Sequence, residues 1–486
     1  MPLSLDSGQP WAGKVGAPSL EALAITPESL GAPAFKRAHG VRLAYASGAM
    51  YKGIASADLV IRMGQAGLLG FFGTGGLRLE RIEEAIRRIR RALPPDRAFG
   101  MNLLCNLAKP EMEEHTVDLF FRHGIERIEA AAYTHVTPSL VRYRARGLRP
   151  GPEGPVVPHK VMAKVSRPEV AAQFLSPAPE RILQRLVASG AIAESEAALA
   201  RAVPMADDLC VEADSGGHTD NGVALTLMPV MLGLRDEATR THQYREPVRV
   251  GAAGGLGTPH AVAAAFILGA DFVLTGSINQ CTVEAGTSEL VKELLADANV
   301  QDTTMAPAGD MFEIGAKVQV MSKGVFFPAR ANKLYEVYKQ YDALEQIDPK
   351  TREQIEKRYF KRSFEEIYAE TKEYYARQAP EQLERAERNP KAKMALVFRW
   401  YFVHTSRLAI KGIAEGKLDF QIHCGPALGA FNQWVKGTRY EPWRNRHVDE
   451  LAELLMGGAA AVLRQRFLQL QGLPTPPGDL RPPADG

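Results

Sequence analysis

Eight short apolar runs mark the first 276 residues, and most are followed by a stretch with helical periodicity. They begin at Val41 (VRLAYAS), Leu68 (LLGFFG), Ala98 (AFGMNLL), Ile125 (IERIEAAA), His159 (HKVMAKVS), Asp208 (DLCVEAD), Val248 (VRVGAA) and Asp271 (DFVLTG). The segment LERIEEAIRRIRRAL from Leu79 repeats Leu, Ile and Ala at helical spacing, so it reads as an amphipathic helix between two buried strands. Strands that alternate with helices make a parallel sheet. Eight of them suit a (β/α)8 TIM barrel, although a doubly wound sheet can use the same alternation.

The glycines separate these two folds. VRVGAAGGLGTPHAVAAAF is a strand, a glycine-rich turn and a helix starting near Thr258 and Pro259. Its turn carries Gly254 and Gly255, whose backbone N–H groups and following helix N-terminus favour an anion. The next strand ends in Thr275, Gly276 and Ser277. By count these are strands seven and eight, after which (β/α)8 barrels commonly build a phosphate site. GAAGGLG is not GxGxxG, and no acidic residue ends the following strand as a dinucleotide ribose contact requires. A Rossmann nucleotide site is therefore disfavoured.

Other strand ends converge on the same face. YASGAM ends in the small residues Ser47, Gly48 and Ala49; GMNLL offers the Asn102 amide, and KVMAKVS the Lys164 cation. VEADSGGHTDNG stops at Asp214, Ser215, Gly216, Gly217 and His218. We expect the glycines to admit a flat ligand, Asp214 to brace the turn, and His218 to face a substrate stacked on that ligand. An amide, a lysine, small turns and a one-phosphate site suit FMN. His123, His260 and His423 have no comparable setting and are read as structural or solvated.

Beyond the eighth run the pattern changes. Residues 333–393 are charged, Tyr- and Phe-rich and helical, which suggests a subdomain covering one end of the barrel. FQIHCGPALGAFNQWVKGT from Phe420 reads as a packed turn against the substrate path, and DELAELLMGGAAAVLRQRFLQL as a helix returning to the barrel. The expected partition is an N-terminal segment (1–34), an FMN barrel (35–300), a helical substrate cap (301–440), a returning helix (441–470) and a disordered Pro/Gly tail (471–486). A net charge of +3 with interspersed signs gives no field for nucleic acid or membrane. Four dispersed cysteines suit reduced thiols better than a disulfide framework or a zinc site, and no metal is expected. With no signal-peptide or membrane-span pattern, the expected location is the cytoplasm.

The motifs GMNLL, EADSGGHTDN, GAAGGLGT and TGS, within residues 41–280, resemble the flavin barrel of nitronate monooxygenases and flavin-dependent enoyl-acyl-carrier-protein reductases. TGSINQCTVEAGTS, APAGDMFEIGAKVQV and FQIHCGPALGAFNQWVKGT extend the likeness over roughly residues 35–465, to the trans-acting enoyl reductases of polyketide and polyunsaturated fatty-acid synthases. The resemblance implies FMN, a nicotinamide reductant (NADPH or NADH), and an enoyl thioester on an acyl carrier protein. It maps flavin contacts onto Asn102, Lys164, Gly216, Gly217, Gly254, Gly255, Gly276 and Ser277. It places the strand-end histidine at His218, as proton donor or as positioning group. A homo-oligomer is compatible with this reading. Three alternatives stand beside it. One is nitronate oxidation with His218 as base; another is an IMP-dehydrogenase-like nucleophile at Cys281; the third is a non-catalytic docking subunit.

Overall fold

The computed structural model describes residues 25–106, 109–473 and 481–482. Most of the expected N-terminal segment (1–34) and tail (471–486) lies outside the described residues. Each of the eight runs yields a strand: β1 (Tyr45–Ser47), β2 (Leu69–Phe72), β3 (Gly100–Leu104), β4 (Arg127–Ala131), β5 (Lys160–Val165), β6 (Asp208–Glu212), β8 (Arg249–Ala253) and β9 (Val273–Thr275). They pair in parallel and in chain order, and β1 pairs with β9 (Tyr45 beside Val273) to close the barrel. The interposed β7 (Gly217–His218) belongs to a separate antiparallel sheet with β10 (Thr303–Pro307) and β11 (Lys317–Met321).

Large rings fill the barrel interior. A Cβ at Gly100 or Gly251 would collide with the Phe71 or Phe272 ring, so glycine in these strands makes room for aromatics inside. Phe35, on the helix Pro33–His39, stacks on Phe272 at 4.4 Å between ring centroids and plugs the N-terminal end. At that end Asp208 is fully buried and accepts from Arg249 (Nε at 2.6 Å) while bonding His39 (2.8 Å). Outside, Leu79–Ala92 buries Ile82, Ala85, Ile86 and Ile89 as one stripe. Each fully buried isoleucine there contributes about 1.5–3 kcal/mol.

The Phe/Tyr-rich helices Phe327–Gln340, Phe364–Gln378 and Pro390–Lys411 gather a second core around Phe312, Phe327, Phe360, Phe398 and Tyr401. The last helix, Val448–Leu470, joins the barrel's core instead. It lies against Pro259–Ile267 so closely that a Cβ at Gly458 would stand 2.5 Å from the Pro259 ring. No helix among the described residues is long and apolar enough to cross a membrane.

Candidate functional site

A cleft of about 650 Å³, mouth included, opens at the C-terminal ends of β1, β5, β6, β8 and β9. That is the end where (β/α)8 barrels carry their chemistry. Of the residues picked from sequence, Gly48, Ala49, Lys164, Ser215, Gly216, Gly254, Gly255, Gly276 and Ser277 line it. Ser47, Asn102, Gly217 and His218 do not. Ser47 is fully buried and its hydroxyl accepts from Asn279 Nδ2 at 2.9 Å. Asn102 is also buried, and its Nδ2 donates to the Glu129 carbonyl at 2.9 Å, stitching β3 to β4.

The glycines divide into two kinds. Gly216, expected to admit a ligand, is closed by protein: a Cβ there would stand 2.6 Å from Cys424 Cα. A Cβ at Gly254 would stand 2.7 Å from the Asp214 carbonyl oxygen, and one at Gly217 3.5 Å from His423 Nδ1. At Gly255 and Gly276 a Cβ would meet nothing within 4 Å. These two open into the cleft, at the ends of the strands expected to hold phosphate. The turn Gly254–Gly255 takes φ +82° and +72°, a conformation that disfavours side chains, and leads to the helix Pro259–Ile267 capped by Thr258.

Lys164 stands between two carboxylates, 3.6 Å from Glu129 Oε1 and 3.5 Å from Glu212 Oε1. Burial alone would lower its pKa, but the Glu212 and Glu129 charges more than reverse that, so it stays cationic. Glu129 is fully buried; burial raises its pKa despite Lys164 and the Ala49 N–H, which donates to Oε2 at 2.9 Å. Its Oε1 accepts no hydrogen bond of ordinary length among the described residues. Gln319 on β11 braces the turn after β6 by donating to Asp214 Oδ1 (2.6 Å) and the Ser215 carbonyl (2.7 Å). Ser277 Oγ accepts from the Gly425 N–H at 2.9 Å, tying the C-terminal segment to the cleft rim.

His218 sits on β7, two residues beyond Gly216, with half its side chain exposed and Nε2 3.1 Å from Asp310 Oδ1. The bond to Asp310 raises its pKa. Facing it, His423 is held in the segment that bridges onto β11 at Val320. Burial, with the charge of His218, pushes its pKa down to about 3. Cys281 is fully buried beside Arg446, and burial raises its pKa, which removes it as a nucleophile. Glu129, Glu212, Asp310 and His423 were not singled out from sequence. Glu129 and Glu212 had a signal, a carboxylate inside the apolar runs IERIEAAA and DLCVEAD; Asp310 and His423 had none short of the fold.

A (β/α)8 barrel with open glycine turns after its last two strands and a partly buried lysine in the same cleft suits an oxidoreductase of the flavin-barrel class. Residues 44–314 match the nitronate monooxygenase family model, and the chain belongs to that family of flavin enzymes. Residues 341–420 match the inserted helical domain of [acyl-carrier-protein] S-malonyltransferase. The chain is 56% identical over 444 residues to the polyketide biosynthesis protein PksE of Bacillus subtilis, covering 91% of this chain and 58% of that protein. It is 46% identical over 418 residues to a polyunsaturated fatty acid synthase component of a Thraustochytrium species, covering 85% and 28% respectively. Thus it spans about half, or less, of these relatives' length. The enoyl reductase domain of MlnA, from the macrolactin cluster of Bacillus amyloliquefaciens, superposes with a TM-score of 0.87 at 45% identity, covering 91% of this chain and 99% of that domain. Within its family the chain is therefore enoyl-reductase-like, akin to components of polyketide and polyunsaturated fatty-acid synthases.

Proposed function

We propose that the chain is an FMN-dependent enoyl reductase that uses NADPH or NADH to saturate the α,β-double bond of an enoyl thioester carried in trans on an acyl carrier protein. One observation carries the reading: the two open glycine turns and Lys164 share a single cleft, and His218 with its Asp310 partner stands just beyond it. The residues fit FMN. Gly255 and Gly276 leave the space a phosphate needs, with the turn's N–H groups and the N-terminus of Pro259–Ile267 beside it. Lys164 presents its cation to an electron-rich ring edge, and Glu129 Oε1 offers a buried acceptor.

Bound there, FMN would supply hydride to the β-carbon of the enoyl thioester. The remaining work falls to the chain. His218 Nε2–H is committed to Asp310, so the proton it can give the α-carbon is the one on Nδ1. The bond to Asp310 raises the pKa of that imidazole and so favours its protonated form, and its exposed edge lets solvent restore the proton. Over a turnover the nicotinamide loses a hydride, solvent loses a proton, and the C=C becomes CH–CH.

Nitronate oxidation would use the same barrel. The match of residues 341–420 to a domain of a carrier-protein enzyme favours the tethered thioester, with the helical region 301–440 as its receiving cap. The test is an anaerobic stopped-flow comparison of the two half-reactions. The purified protein is expected to be yellow, to bleach with NADPH, and to reoxidise with a carrier-bound enoyl thioester. His218→Ala should leave bleaching intact and slow reoxidation by about 10²–10⁴-fold, the usual loss of a positioned proton donor. A wild-type protein whose oxidised flavin is bleached by nitronates, and whose reduced flavin is not reoxidised by enoyl thioesters, would overturn the reading.

A further inference from the structure

His423 comes from a part of the chain remote from His218, yet the fold brings the two histidines to one place. The segment Gln421–Cys424 bridges onto β11 at Val320, and β7 pairs with the same strand at Val318. His423 Nδ1 would lie 3.5 Å from a Cβ on Gly217, the neighbour of His218. The ring is fixed on two sides. It stacks on Tyr51 at 5.0 Å and 19° between planes, and its Nε2 is 2.8 Å from Gln421 Nε2. Gln421 Oε1 lies 3.4 Å from the Thr405 hydroxyl, which has the Phe402 carbonyl at 3.2 Å as a second acceptor. With the glutamine oxygen turned to Thr405, its amide nitrogen donates to the imidazole. Nε2 is then an acceptor, and a neutral ring carries its proton on Nδ1. Among the described residues no hydrogen-bond partner stands at that Nδ1.

We propose, resting on the enoyl-reductase reading, that the Nδ1–H of His423 is the hydrogen-bond donor for the thioester carbonyl oxygen and for the enolate oxygen that develops from it, leaving proton delivery to His218. The two imidazoles suit divided labour because their surroundings differ. His218 is half exposed and paired with a carboxylate, while His423 is enclosed and paired with an amide. The titratable groups facing His423 are Tyr51, Lys52, His218 and Asp310. Burial leads among the influences on it and the charge of His218 acts in the same direction, so it stays neutral, whereas the bond to Asp310 favours the protonated form of His218. A neutral donor stabilises the oxyanion without competing for the transferred proton.

Asparagine can place an amide N–H where Nδ1–H stands, whereas glutamine reaches only the Nε2 position and can still accept from Gln421. We expect H423A to bind flavin and bleach with NADPH like the wild type, and to reoxidise with crotonyl thioester about 10²–10³-fold more slowly, the loss typical of one oxyanion donor. H423N should recover most of that rate and H423Q should not. In histidine-15N spectra, a resonance assigned by its loss in H423N should show unprotonated Nε2 throughout pH 6–8. Wild-type reoxidation by H423A, a faster H423Q than H423N, or an Nε2–H tautomer would overturn the assignment. If the wild-type protein itself were not reoxidised by the thioester, the enoyl-reductase reading would fall and this role with it. A wild-type protein that reoxidises while H423A matches it removes only His423.

Discussion

Gly255→Asp isolates the phosphate end of the cleft. The residue holds φ +72°, so any side chain costs about 1–2 kcal/mol of left-handed strain. That is a minority of the about 5–15 kcal/mol that holds a typical domain folded, and the new side chain meets no protein atom within 4 Å of its Cβ. The fold should survive. What the carboxylate does meet is the place assigned to phosphate. Two like charges about 4 Å apart repel by about 4 kcal/mol at an effective dielectric near 20. This is about a thousandfold in affinity per unit of phosphate charge. Gly190→Asp is the control, since it carries the same strain (φ +70°) and has the same empty surroundings, in the turn that follows the outer helix Glu180–Ala188. The assay is flavin-to-protein absorbance after gel filtration, with FMN titration by fluorescence quenching and thermal melting alongside. We expect Gly255→Asp to emerge colourless with a melt close to that of Gly190→Asp, which stays yellow. Wild-type FMN affinity in Gly255→Asp would refute the placement of phosphate. Equal flavin loss in both variants would show that strain alone is responsible.

Other residues make separate predictions. Asp310→Asn removes the partner that raises the His218 pKa, so the alkaline fall in enoyl-dependent reoxidation, which occurs as His218 loses its proton, should move down toward the ordinary histidine value near 6.5; an unmoved limb in a pH series would detach His218 from proton delivery. Burial alone would raise the Asp208 pKa, but Arg249 and His39 hold it well below the usual range. Its stabilisation is thus present above about pH 3.9 and lost as pH falls through the depressed value. Asp208→Asn should cost about 3–5 kcal/mol in urea unfolding at pH 7 by stranding two buried partners, and an unchanged midpoint would contradict this. Cys281→Ser should turn over at the wild-type rate; a large loss of activity with flavin retained would restore the thiol as a chemical participant.

The barrel was legible because its signals are local. Each apolar run is a strand, the helix after Thr258 starts where its cap and proline place it, and the ring closes in chain order. Gly255 and Gly276 were legible as openings for the same reason. Gly216 lines the cleft as expected, but its missing side chain answers to Cys424, and nothing near Gly216 in sequence announces that contact. Asn102 was read as a ligand group because an amide can pair with a heterocycle; the register with Glu129, which gives its Nδ2 a carbonyl, is visible only in the sheet. β7 is only two residues long and has no periodicity to detect. His423 sits in an apolar stretch, and its nearness to His218 appears only once both have bridged onto β11.

The tie between Ser277 and Gly425 has a consequence for the order in which the protein is made. All eight barrel strands have left the ribosome by Thr275, yet Gly425 and Ala427, which complete the cleft wall, are synthesised after the entire helical region. At about 5–20 residues per second, the interval between these two events is on the order of 10–30 s. Throughout it the nascent barrel presents Gly216 and Ser277 to solvent without their partners. A messenger truncated inside the helical region would lack both this wall and the helix Val448–Leu470 that completes the barrel's core. The wall of the cleft is thus completed by a segment that the ribosome delivers long after the barrel strands.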